Sequence, residues 1–250
     1  MARSAIRVSS SQPEELAAAA LAPAPAGGGG GCLRVAALAA SPLVTPDGRP
    51  LAQLRVADEV RRLDQAVRSC GRRVRWRAAV ATPAELLETL AEATVLVLSA
   101  HGTLAAEGGC GLILEDVGAG GTTTIVSAAE MQRGVAHASS RPAVVVLSAC
   151  HSEACAAAFE AIGVPHVVVV RRAEEVSDGA AAAFSEAFLR ALLKGTAVGT
   201  AFGLAVATVS LQGGGRVEVS AVAVAVAVSA TAPTPLAPAV PTTAPTPPIP

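Results

Sequence analysis

The chain has 250 residues, 52% hydrophobic and 16% charged, which is ample material for a core and fits one sizeable domain with tails or two small ones. A net charge of −1 gives no basic face, so nucleic-acid binding has little support, and the arginines of "RRLDQAVRSCGRRVRWR" at 61–77 read as a solvated helix and strand edge. No apolar run is long enough to span a bilayer, the "AVAVAVAV" at 221–228 included, so no membrane partner is expected.

Residues 1–31 form an Ala/Pro/Gly-rich segment expected to be disordered, because such composition buries too little surface to offset its ordering entropy. Glu14 and Glu15 and the lack of a compact apolar stretch argue against a secretory signal, while the early arginines and serines leave an organelle transit peptide open. Five cysteines, an odd number without tight spacing, fit free thiols in a reducing, intracellular, most simply cytoplasmic, setting.

From residue 32 onward strands and helices alternate. "LRVAALAA" at 33–40 predicts a buried strand. Val56, Val60, Leu63 and Val67 recur at helical spacing within 54–70, and Gly71 supplies the stop. "RRVRWRAAV" at 72–80 alternates as a strand does. Thr82, Pro83 and Glu85 predict a capping box ahead of the next helix. "TVLVLSA" at 94–100 is a continuous apolar strand, as in a sheet covered on both faces. "GLILED" at 111–116 is a short strand or hairpin arm, and Ser127 with Glu130 predicts a second capping box for a helix at 127–135. A strand at 143–149, a helix from Ser152 to Ile162 ended by Gly163, a strand at 166–170, a helix at 178–193 ended by Gly195 and a last helix at 196–209 complete the pattern. Residues 32–212 thus predict an α/β domain with a doubly wound, mostly parallel sheet and helices on both faces. Residues 213–250 form an Ala/Val tract and then a Pro/Thr-rich tail.

Ligands of such sheets bind outside the carboxyl ends of the strands, and two strands end in reactive residues. "ATVLVLSAHGT" at 93–103 delivers His101 and Gly102, and "AVVVLSACHSEAC" at 143–155 delivers Cys150. If these strands are parallel neighbours, about 5 Å apart, the imidazole and the thiol come within reach of each other. An imidazole can take the proton of a thiol and make it a nucleophile, and the helix starting after Cys150 favours the thiolate. The amides of Gly102 and Cys150 are candidate oxyanion donors.

These two segments resemble the catalytic segments of the caspase-fold cysteine peptidases, a group that takes in caspases, metacaspases and separase. The likeness is greatest to the CHAT group, named for caspases and tetratricopeptide proteins. It extends over about residues 32 to 210, including "EVRRL", "GLILED", "AAAFEAIGVPHVVVV" and "AFSEAFLRALLKGTAVGTAFGLA". Caspases place their histidine about 50 residues before the cysteine, against 49 positions from His101 to Cys150. The resemblance implies a caspase-like sheet, His101 as general base, Cys150 as nucleophile, Gly102 in the oxyanion hole, a protein or peptide substrate and no cofactor. "CHS" at 150–152 is similar to metacaspases, but Ser148 and Ala149 stand where metacaspases carry an acidic residue for a basic P1 side chain.

Other readings stay open. The stretch "RRAEEVSDGAAAAF" at 171–184 follows the next strand end and borders the same cleft, so Asp178, Glu174 or Glu175 could hold a basic P1 residue; a helix cap at Ser177 or Asp178 is the simpler reading. Cys150 could be an inert core cysteine. His101, Cys110, Cys150, His151 and Cys155 include metal-ligand types, but their spacing lacks the compact pairs of a zinc site, so no metal is expected. Cys110 reads as an exposed residue of a glycine-rich loop, Cys155 as core, Cys32 and Cys70 as structural, His137 as a surface residue and His166 as the start of a strand. The function expected is that of a cysteine endopeptidase. The alternative is an inactive signalling or scaffold domain of the same fold, binding a regulatory protein partner through the cleft or the Pro-rich tail.

Overall fold

The long Val/Leu/Ala runs have no polar face, and a sheet covered on both sides is where such segments can be buried. A computed structural model describes residues 32–45, 47–104, 110–116, 123–136, 138, 140–149, 152–171, 178–212 and 226–228. The chain runs β1 (Leu33–Ala39), α1 (Val56–Arg68), β2 (Val74–Val80), α2 (Pro83–Glu92), β3 (Val95–Ser99), β4 (His101–Leu104), β5 (Cys110–Glu115), β6 (Thr123–Ser127), α3 (Ala128–Val135), β7 (Val144–Ala149), α4 (Ser152–Ala161), β8 (His166–Arg171), α5 (Asp178–Leu193), α6 (Val198–Gln212) and β9 (Val226–Val228).

The main sheet has the order β2-β1-β3-β7-β8-β9. The first five strands pair in parallel, and β9 closes the edge antiparallel to β8. Every residue of β3 and β7 is buried. Strand alternation then sorts the side chains onto two faces. Val35, Val95, Val97, Val144, Val146 and Val168 face α1, α5 and α6, where Leu63, Phe184, Phe188 and Phe202 fill the space. Leu38, Leu96, Leu98, Val145, Leu147 and Val169 face α2, α3 and α4, with Leu86, Leu90, Met131 and Phe159. This is the doubly wound α/β arrangement the sequence predicts. Three phenylalanines of the first face cluster: Phe184 stacks on Phe188 at 5.9 Å and meets Phe202 edge-on at 5.7 Å, centroid to centroid.

Three features depart from the sequence reading. The first is a second sheet, β4-β5-β6, antiparallel throughout. Only the β5 segment is expected from sequence; the short β4 and the Thr-rich β6 carry no apolar run and gain their pairing from β5. The Gly111 Cα lies so close to β6 that a Cβ there would meet Ile125 Cγ2 at 2.5 Å. The second is β9. The sequence reading assigns the Ala/Val tract no element, yet its alternation adds three residues to the sheet edge. The third is the Thr82 cap. Thr82 Oγ1 accepts the Glu85 N–H at 3.2 Å as expected, but the Glu85 carboxylate turns to Arg77 at 2.7 Å, so the box is half made.

Other local expectations hold. Ser127 and Glu130 form a full capping box. Gly163 and Gly195 end α4 and α5 with φ of 88° and 87°, a region that costs glycine least. His166 opens β8 and is fully buried. Residues 1–31, His137 and all of the tail except β9 lie outside the described residues.

The cysteine expectation needs correction. Cys110 is buried, at 4% exposure, and forms a disulfide with the fully buried Cys155, their Cα atoms 5.0 Å apart. Cys110 opens β5, which packs against α4, and α4 carries Cys155. A glycine-rich sequence on both sides of Cys110 hides this packing. Cys32 and Cys70 are free, Cys32 exposed and Cys70 half-buried.

Two predictions follow from these local structures. The bridge spans 45 positions, so reducing it should lower unfolding stability by about 4 kcal/mol by loop-closure entropy. Denatured, unreduced protein should titrate three thiols, the five cysteines less the bonded two; five thiols without reductant would refute the bridge. The N–H and O–H of Ser127, both donated to Glu130 at 2.7 Å, hold its carboxyl below the usual glutamate range. A carboxyl depressed on folding contributes stability above its unfolded pKa and loses it as pH falls through the folded value. Urea unfolding of Glu130→Gln should therefore differ from wild type at neutral pH and converge with it in acid.

Candidate active site

The strand order reverses between β1 and β3: from β1 the chain crosses to β2 on one side, then returns past β1 to β3. Such a reversal opens a crevice at the carboxyl ends of the strands. Two segments leave into it. After β1 the chain runs across the sheet end to α1, and after β3 it passes through Ala100 into β4. Ser41 anchors the first segment at both ends: its N–H donates to Glu115 Oε1 at 3.0 Å, and its Oγ accepts the Leu54 N–H at 2.9 Å.

His101, the first residue of β4, is 9% exposed and lies against that segment. Its Nε2 is 2.8 Å from the Ala52 carbonyl oxygen. A carbonyl can only accept, so Nε2 carries the proton and donates it. In the neutral ring this leaves Nδ1 as the basic atom. Gly102 follows on β4, half-buried and opposite Leu112 of β5.

The register between β3 and β7 pairs Ser99 with Ser148, and the Ala100 N–H donates to the Ser148 carbonyl at 3.2 Å. Ala100 therefore stands at the level of Ala149, the last residue of β7, and His101 is the next residue along the chain. Cys150 and His151 lie outside the described residues, as do Glu174, Glu175 and Ser177. Asp178 is the first residue of α5; its side chain lies outside the described part.

Beneath the strand ends is a polar layer in an otherwise apolar interior. Ser99 and Ser148 are 3% and 0% exposed, and Ser185 of α5 is fully buried. Glu59 of α1 is buried with them. It accepts the Ser99 hydroxyl at 2.6 Å and the Ser185 hydroxyl at 2.9 Å. The sequence reading names neither Glu59 nor the Ala52 carbonyl. A backbone carbonyl leaves no signature. Glu59 does leave one: it falls on the stripe of Val56, Leu63 and Val67, where a solvated carboxylate does not belong.

The metal reading loses two of its ligands, since Cys110 and Cys155 are bonded to each other. Among the described residues no group of three His, Cys, Asp or Glu side chains could hold a metal ion. Among them also, no helix is long and apolar enough to cross a membrane.

Comparison with known proteins identifies the family. No curated protein matches the chain. Among solved structures, the initiator caspase Dronc of Drosophila is similar, at 12% identity and a TM-score of 0.40, over 70% of this chain and 72% of that one. That likeness is too distant to carry the fold, which rests on the sheet order itself. The family model of the CHAT domain matches residues 4–225. The chain belongs to the CHAT domain family.

Proposed function

We propose that the protein is a cysteine endopeptidase in which His101 is the general base, Cys150 the nucleophile and Gly102 an oxyanion donor. The observation that carries this reading is the register of β3 with β7. With Ser99 opposite Ser148, His101 and Cys150 each follow two residues after a paired position of neighbouring strands. Family membership supports the same assignment.

The chemistry runs in two halves. The Cys150 thiol gives its proton to Nδ1 of His101, and Sγ bonds to the carbonyl carbon of a peptide substrate. The ring becomes an imidazolium that donates from both nitrogens, and the Ala52 carbonyl, already 2.8 Å from Nε2, stabilises it. The carbonyl oxygen takes the negative charge and accepts the Gly102 N–H. The C–N bond then breaks, His101 returns its proton to the leaving amine, and a thioester remains. Water, deprotonated by His101, releases the acid and restores the thiol. No cofactor takes part. Asp178, at the entry to α5, would meet a basic P1 side chain.

One observation favours a second reading. Ser148 and Ala149 supply no charge beside Cys150 to select a charged P1 residue, as would suit a domain that binds a regulatory protein partner without cleaving it.

Peptidyl acyloxymethyl ketones with Arg, Asp or Leu at P1, read by intact mass, separate the two. The endopeptidase reading predicts one covalent addition to wild type, lost in Cys150→Ala and reduced at least a hundredfold in rate in His101→Ala, on the scale of a lost general base. Folded wild-type protein that takes up none of the probes would favour the binding domain.

A further inference from the structure

The geometry points to Glu59 as a positioning residue for His101, acting through Ser99. This deepens the peptidase reading and rests on it for its catalytic meaning, but the geometric claim is separate. Residues 52–59 touch the end of β3 and the start of β4 at two points. The Ala52 carbonyl accepts His101 Nε2–H, and the Glu59 carboxylate accepts the Ser99 hydroxyl. His101 and Ser99 are two residues apart, so two short hydrogen bonds, 2.8 and 2.6 Å, hold the end of β3 and the start of β4 against the α1 approach.

A single hydrogen bond from a histidine to a loop carbonyl leaves that carbonyl free to slide along the ring. The Glu59 contact removes that freedom. It sits on a helix, which is stiffer than the loop, and its second oxygen accepts Ser185 from α5. The carboxyl is thus pinned from an independent direction. Burial makes the arrangement strict, since Glu59 and Ser99 are each 3% exposed and water does not replace a lost partner there. A carboxyl on the apolar stripe of α1 costs desolvation that leucine would not. The return is a fixed distance between the β3 end and the carbonyl that sets the His101 tautomer.

The test uses the full chain with Glu59→Ala, Glu59→Gln, Ser99→Ala and Ser185→Ala. Two readouts are needed. The first is the second-order rate of covalent labelling by whichever ketone probe reacts. The second is the tautomer and exchange of the His101 ring, read by long-range proton–nitrogen NMR in a Cys150→Ala background, which needs no catalysis. We expect Glu59→Ala and Ser99→Ala each to slow labelling at least tenfold and the double variant to be no slower than the worse single one. Glu59→Gln should recover most of the rate, because the carboxamide oxygen still accepts a serine hydroxyl. Ser185→Ala should lower the melting temperature and slow labelling less than Ser99→Ala does. In the NMR, the Nε2–H signal should be protected in the parent and exchange fast in Glu59→Ala.

Should Glu59→Ala fail to fold, Ser99→Ala and Glu59→Gln carry the same comparison. Unchanged labelling and an unchanged ring signal in folded Ser99→Ala would overturn the proposal. So would additive losses from Glu59→Ala and Ser99→Ala. A parent that never labels but loses its Nε2–H protection in Glu59→Ala would uphold the positioning role and favour the binding domain over the peptidase.

Discussion

The parallel pairing of β3 with β7 is the constraint on which the site depends. It matches Val95 with Val144 and runs in step to Ser99 with Ser148. A slip of one residue would send each side chain to the other face. It would bury the serines among the leucines of the α2, α3 and α4 layer and leave Glu59 without the Ser99 hydroxyl. Val95, Val97, Val144 and Val146 face one layer of helices and Leu96, Leu98 and Leu147 the other, and a slip would exchange side chains between layers built for different shapes. Core packing thereby sets the relation between the two strand ends that lead to His101 and Cys150.

Around that pair, successive layers add precision. The β1/β3 order reversal opens the crevice and brings residues 41–55 across it. Ser41 ties that segment to Glu115 and Leu54, and its Ala52 carbonyl selects the His101 tautomer. The Cys110–Cys155 bridge joins the hairpin that continues from His101 to the helix that follows Cys150. Glu59 and its serines thus tie β3 to α1 and α5 on one face of the sheet, and the disulfide ties β5 to α4 on the other.

The sequence made the sheet legible because its central strands are unbroken apolar runs and its helices carry caps. It made His101, Gly102 and Cys150 candidates because polar residues break those runs abruptly. Other features depend on contacts between distant segments. Cys110 lies between glycines and reads as exposed; its burial requires α4 to pack on β5. Glu85 has the right spacing for a capping box, but Arg77 on β2 takes its carboxylate. Glu59 falls on the apolar stripe of its helix, which marks it as unusual, but its partners Ser99 and Ser185 are 40 and 126 positions away and show only in the fold. β4 and β6 are too short and too polar to be read without knowing that β5 lies between them.

The most direct measurement of the central claim is the pH dependence of Cys150 alkylation by iodoacetamide, mapped by peptide mass in a Cys32→Ser, Cys70→Ser background, with and without His101→Ala. If the strand register brings the two side chains together, Cys150 should react at a pH below that of an ordinary thiol, and the profile should move up when His101 is removed. Identical profiles in the two proteins would mean that His101 and Cys150 do not share a site, and the account built on their register would fall.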